Sequence, residues 1–321
     1  MLQRRYCYSM TGRTGSGKTA IALNIAASVA LGRSIGGHDV ERGRVLYFAG
    51  ENPTDVQMRW IAMAQQMNFD VNDIDVHFTC GVFNIAEMFN KISAEIILLG
   101  DVSLVVIDTT AAFFHGEDEN DNVQMGQYAR LQRSLVDLPG GPTVLALCHP
   151  TKGASEENLL PRGGGAYLNE VDGNLTVKNN GSVVELHWQG KFRGADFAPL
   201  SFQLKTATHQ RLKDSKGRHI KTVIAKHLTA EGEQALERAS RIKEDQMLLV
   251  IDEHPRASLA DLAKAAGWLL KNGEPNKMAA KRTVAALKSA KLVENGRNGP
   301  AITEKGKAEV KRLRESRNKE A

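Results

Sequence analysis

With 321 residues, 42% of them hydrophobic and 25% charged, the chain can hold two domains, or one large domain with an appendage, and its composition is that of an ordinary globular protein. Its net charge of +5 is unevenly spread: residues 241–321 carry 18 Lys/Arg against 11 Asp/Glu, and the rest carry 24 against 26. No run approaches the roughly 20 apolar residues a membrane span needs, and Met1-Leu2-Gln3-Arg4-Arg5 lacks the apolar core of a signal peptide, so a cytoplasmic protein with no membrane partner is expected.

A basic end beside a near-neutral body implies either a polyanion partner or a solvated, frayed tail. For residues 311–319 taken alone, the frayed tail is the expectation. Cys7, Cys80 and Cys148 have neither paired nor metal-binding spacing and read as buried thiols in a reducing compartment.

In chain order, residues 6–10 form a short strand, and a helix is expected from about 18 to 30. Residues 44–49 (RVLYFA) form a second strand and 53–67 a second helix; 76–79 make a third strand and 85–99 a third helix. The apolar runs 104–107 and 143–147, bounded by turn signals, suit parallel strands buried on both faces. This alternation predicts an α/β domain around a mostly parallel central sheet. After Pro150 the pattern changes. Segments 174–177 and 183–188 flank Asn179-Asn180-Gly181, a hairpin signal, and 202–208 and 219–224 flank a second turn, Asp214-Ser215-Lys216-Gly217. The expected organisation is an α/β domain over 1–228, a polar helical linker over 229–243, and a separate unit over 244–321.

The chemistry concentrates at Gly12-Arg13-Thr14-Gly15-Ser16-Gly17-Lys18-Thr19, which meets the P-loop pattern G-x-x-x-x-G-K-[ST] between a strand and a helix. The glycines let backbone N–H groups turn inward around phosphates, and the helix beginning at Lys18 aims its positive dipole end at them. Lys18 then reaches the β/γ oxygens, and Thr19 offers a hydroxyl to Mg²⁺. The expected ATP-binding set is Gly12 through Thr19, with Ala20. A second metal-holding acid is needed at the end of a buried strand; Asp108, after Leu104-Val105-Val106-Ile107, supplies it. Hydrolysis also needs a group that orients or deprotonates water. Glu51 is the candidate, at the C-terminal end of the second strand, on the edge where ligands of open α/β sheets bind. The competing reading has Glu51 capping the next helix, although Asn52 is the better cap.

TGRTGSGKT at 11–19, YFAGENP at 47–53, LVVIDTTAAFFHGEDENDN at 104–122 and VLALCHP at 144–150 together resemble the RecA-like P-loop ATPases, and more closely the RepA-type hexameric replicative helicases. The resemblance implies a RecA-like core with Glu51 as catalytic base, Arg59 packed beside the adenine, and His149 as a polar sensor of the γ-phosphate. It further implies that Lys191-Phe192-Arg193 is the K-x-R element that reaches into a neighbouring subunit's ATP, so that Lys191 and Arg193 act in trans within a homo-oligomer, a hexamer in that family. The likeness covers about residues 3–205. It departs from the family in starting almost at the P-loop strand, with no preceding oligomerisation element expected, and in carrying a C-terminal domain. The loop 151–165, with Lys152, Arg162 and Gly163-Gly164-Gly165, matches in position the mobile loop that lines the single-stranded DNA channel of RecA-like rings. The acidic segment 116–122 reads as a solvated turn or a cap for the helix beyond.

In the last unit, 246–253 reads as a helix, Ser258 opens a second through Ala266, and 276–292 is a third, with Lys277, Lys281 and Lys288 along one flank. Segments 292–294 and 301–303 bracket a small hairpin with Arg297 at its tip. Three helices and a two-stranded wing resemble a winged helix able to bind duplex DNA. An ATP-driven DNA helicase is the leading functional expectation. The alternatives are an ATP-switched DNA-binding initiator or regulator, and a recombination-type ATPase that does not unwind.

Overall fold

A computed structural model describes residues 1–155, 157–181, 183–296 and 299–320, the last four without their side chains. The chain divides into two compact units, Met1–Thr229 and Ala230–Ala321.

In the first unit, strands β1 (Cys7–Gly12), β2 (Arg44–Ala49), β3 (Val76–Cys80), β4 (Val102–Asp108), β5 (Thr143–Cys148), β6 (Gly173–Asn179), β7 (Val184–Phe192), β8 (Leu200–Ala207) and β9 (Thr222–His227) build one nine-stranded sheet. Its order is β3-β2-β4-β5-β1-β6-β7-β8-β9. The first six strands in that order run parallel; β7, β8 and β9 add antiparallel strands at one side. The two hairpins read from the sequence therefore extend the parallel sheet. Crossovers carry helices α1 (Lys18–Leu31), α2 (Pro53–Met67), α3 (Ile85–Leu99), α4 (Asn122–Ser134) and α5 (Gly164–Glu170).

Strand alternation divides the core in two. Tyr8, Met10, Val45, Tyr47, Leu104, Val106, Leu145 and Leu147 face one layer with α1 and α2, while Cys7, Leu46, Phe48, Val105, Ile107, Val144 and Ala146 face the other with α3 and α4. Both faces are covered, which is why these strands read as unbroken apolar runs. The same covering makes α1 apolar nearly all round, with Ile21, Leu23, Ile25 and Ala26 all at 2% exposure or less. Cys7 and Cys148 lie in this core, but Cys80 is exposed, contrary to the sequence expectation. It ends β3, the outermost strand of the sheet, where only one side has a neighbour.

In the second unit, the expected linker over 229–243 and the apolar helix after it form one helix, α6 (Ala230–Glu253). Its first part is polar, and Met247, Leu248 and Ile251 are buried near its end. Helices α7 (Leu259–Ala265) and α8 (Lys277–Ser289), a hairpin of β10 (Val293–Gly296) and β11 (Gly299–Ile302), and α9 (Glu304–Glu320) complete it. Ser258 caps α7 by accepting from the Asp261 N–H, and Asn276 caps α8 in the same way through Ala279. The tail expected to fray is α9. Val310 and Leu313 lie three residues apart on one face and are buried at 5% and 8% exposure against α6 and the hairpin, a two-residue stripe easily lost among charges. Lys277 and Lys281 are exposed on α8, whereas Lys288 is half-buried and donates to Asn295 of the hairpin. Arg297 lies outside the described residues.

Candidate nucleotide site

Four parallel strands end on one edge of the sheet, and each delivers a polar group there. The P-loop follows β1, Glu51 follows β2, Asp108 ends β4 and His149 follows β5. Because β5 lies between β1 and β4, and β2 beside β4, these groups line a single cleft of about 400 Å³ together with Thr14, Gly15, Lys18, Thr19 and Ala20. The edge is the one where open α/β sheets bind ligands.

The loop turns into α1 through Gly17, whose φ of 106° lies in the left-handed region, and where an added Cβ would meet the Leu204 side chain at 3.0 Å. Lys18 is 6% exposed, and its ammonium donates to the carbonyls of Gly12 and Arg13 at 2.7 and 3.2 Å. Burial pulls its pKa down, opposed by the nearby Asp108. A buried cation held by two neutral carbonyls retains unneutralised charge, which fits an anionic phosphate. Ser16 Oγ in the same loop is buried without a protein partner. Arg13 points away from the cradle and donates to the Ala154 carbonyl at 2.6 Å.

Asp108 is 3% exposed. Thr19 Oγ1 donates to its Oδ1 at 3.2 Å and Tyr47 Oη to its Oδ2 at 2.7 Å. Burial raises its pKa to about 6, against the lowering effect of these two hydrogen bonds. Among the described residues there is no cluster of three or more His, Cys, Asp or Glu that would cage a metal. The hydroxyl–carboxylate pair of Thr19 and Asp108 instead suits Mg²⁺, which is typically held by one or two protein oxygens together with waters and substrate phosphates.

Asn52, not Glu51, caps α2: its side chain accepts from the Asp55 N–H at 3.1 Å. Glu51 is exposed and lines the cleft. His149 is half-buried beside it, and burial, then Lys18, lowers its imidazole pKa. Arg59 lines the far wall with Val56, Leu204 and Val223. Its guanidinium is pinned by Asp55 at 2.6 Å and by the Val223 carbonyl at 2.9 Å. The part that Leu204 and Val223 play in that wall was illegible in the sequence, since they come from β8 and β9, more than 180 residues from the P-loop.

Lys191 and Arg193 lie elsewhere. Phe192 pairs with Gly173, and Gly173 with Tyr8 at the start of β1, so the K-x-R segment sits at the sheet edge opposite the P-loop. Five residues of strand, at about 3.3 Å each, put it roughly 17 Å from its own cleft. Lys191 donates to the carbonyls of Leu168 and Asn169 near the end of α5, with its pKa lowered by burial and by Arg193. Arg193, largely exposed, pairs at 3.1 Å with the buried carboxylate of Asp172, which also binds Arg133 at 2.8 Å and the Cys7 N–H at 3.0 Å.

The segment read as a mobile glycine-rich loop is tied down in several places. Arg162 pairs with Glu119 and its N–H donates to the His149 carbonyl. Gly163, at φ 80°, immediately precedes α5, and an added Cβ would sit 2.5 Å from that of Met125 on α4. This glycine permits helix packing. In the acidic segment, Asp121 caps α4 through the Gln124 N–H.

Residues 1–155, just under half of the chain, match the family model described as an AAA domain. The core is an α/β fold around a mostly parallel central sheet, with the P-loop sequence between β1 and α1. Among solved structures, the ATPase domain of another protein is similar at 14% identity and a TM-score of 0.49, over 68% of this chain and 85% of that one. No curated protein matches the sequence. Among the described residues no helix is long and apolar enough to cross a membrane.

Proposed function

We propose that this chain is an ATP-hydrolysing DNA motor, a RepA-type replicative helicase of the cytoplasm that works as a homo-oligomeric ring, a hexamer as in that family. The reading rests on one observation: the sheet carries a phosphate cleft on one edge and the Lys191–Arg193 pair on the other, too far apart for one subunit to use both. Head-to-tail packing would join the cleft of one copy to the basic pair of the next, and such packing closes into rings when the rotation permits.

Within the cleft, the P-loop amides and Lys18 hold the phosphates of ATP. Thr19 and Asp108 would hold Mg²⁺, which when bound neutralises charge on the phosphate oxygens. Glu51, free of capping duty, accepts the proton of the attacking water. His149 reports on the γ-phosphate through a hydrogen bond. The neighbour's Arg193 stabilises the charge spread over the transferring group, with Lys191 beside it. Arg59 and the apolar wall take the base. Single-stranded DNA occupies the ring channel, and the C-terminal unit, read as a winged helix with Lys277 and Lys281 exposed, contacts duplex phosphate.

The test is ATP turnover by the purified chain with and without single-stranded DNA. Stimulation by the polynucleotide is expected; turnover indifferent to any nucleic acid would contradict the motor reading. A second reading, an ATP-switched initiator or regulator, draws support from the basic C-terminal unit alone. Its mark would be sequence-selective duplex binding through that unit, slow turnover and no unwinding. A recombination-type ATPase would instead form filaments with nucleotide.

A further inference from the structure

The Asp108 carboxylate is held from two sides, and only one of its holders lines the cleft. Thr19, which does, donates to Oδ1 at 3.2 Å; Tyr47, which does not, donates to Oδ2 at 2.7 Å. Tyr47 is wholly buried. It pairs across β2 and β4 with Val106, while Ala49 pairs with Asp108. The tyrosine and the aspartate are therefore diagonal neighbours on the same face of the sheet, within reach of a long side chain. The ring also packs against Phe78, with centroids 5.2 Å apart, so the phenol has little room to swing.

We propose that Tyr47 is a positioning residue for the metal site: by engaging Oδ2 it fixes the Asp108 rotamer that turns Oδ1 toward Thr19 and the phosphate cradle. The proposal rests on Asp108 as a Mg²⁺-holding group. Without the phenol, the carboxylate keeps one anchor and can rotate about its terminal torsion, a soft two-fold rotor. Groups that orient a metal-holding carboxylate from behind typically contribute about 10–100-fold to metal affinity, and Tyr47 belongs at the low end because Mg²⁺ keeps waters of its own.

The test is a Mg²⁺ titration of fluorescent ATP-analogue binding to the full chain, in wild type, Tyr47→Phe, Asp108→Asn and the double variant. Tyr47→Phe is expected to raise the half-saturating Mg²⁺ concentration about tenfold, to leave the affinity measured in EDTA unchanged, and to add nothing once Asp108 is Asn. A merely structural tyrosine would shift the EDTA affinity instead. Tyr47→Met, a flexible donor-free filler, carries the same expectation should the Phe variant fold poorly. Superimposable Mg²⁺ curves for the wild type and a folded donor-free variant, or an undiminished effect in the Asp108→Asn background, would overturn the proposal. A wild type with no Mg²⁺ dependence would overturn the metal role of Asp108 itself.

Discussion

Asp108 shows how burial and function pull against each other at a single residue. Its carboxyl sits at 3% exposure with a pKa raised from 3.8 to about 6. Below about pH 4 it is protonated in both the folded and unfolded chains. Between there and pH 6 only the folded chain keeps the proton, so this contribution to stability is present at low pH and is lost as pH rises through about 6. Asp108→Asn, measured in EDTA by urea unfolding, is therefore expected to be more stable than wild type at pH 7.5, by on the order of 3 kcal/mol at about 1.4 per pKa unit, and equal to it near pH 4. An equal difference at both pH values would mean that Asn merely packs better. At this scale the sequence was informative where chemistry dictates residue type. Lys18 and Thr19 open the helix after β1, Glu51 follows β2 and Asp108 ends β4, and the structure brings them to one cleft. Tyr47 was invisible as a partner of Asp108, because inside RVLYFA a tyrosine reads only as core, and its diagonal neighbour belongs to a strand some 60 residues on.

Among the elements, the first five strands and the helices between them were legible because each is a long, strongly patterned run with its own stop signal. Asn52 before α2 makes the expected cap, and Asn84 caps α3 in the same way. What the pattern could not carry was pairing. The parallel pairing of β6 with β1 is accompanied by Asn174, buried and hydrogen-bonded to Ser9, Thr11 and the Leu159 carbonyl, and no local signal announces those partners. The terminal segment failed for the opposite reason: two apolar residues among many charges gave too weak a stripe, yet they dock a helix. Leu313→Ala should lower the stability of the C-terminal unit by about 2 kcal/mol, the low end for a buried leucine, seen as an earlier unfolding transition for that unit. A neutral substitution would mean that α9 frays as its charge alone suggests.

For the whole molecule, the decisive arrangement is the opposition of cleft and basic pair across one sheet. Arg193→Ala is expected to lower turnover by about 10³-fold or more, the usual contribution of an arginine finger. Lys18→Ala should abolish turnover. Mixed subunits then discriminate. Lys18→Ala copies still present Arg193, and Arg193→Ala copies still have an intact cleft, so the mixture should regain activity that neither variant has alone. A mixture as inactive as its components would leave Arg193 in a purely structural pairing with Asp172. The most direct test of the motor itself is strand separation of a forked DNA with and without ATP. The expected result is unwinding that requires ATP and Mg²⁺ and disappears in Lys18→Ala; no unwinding under any condition, or unwinding that survives Lys18→Ala, would contradict it.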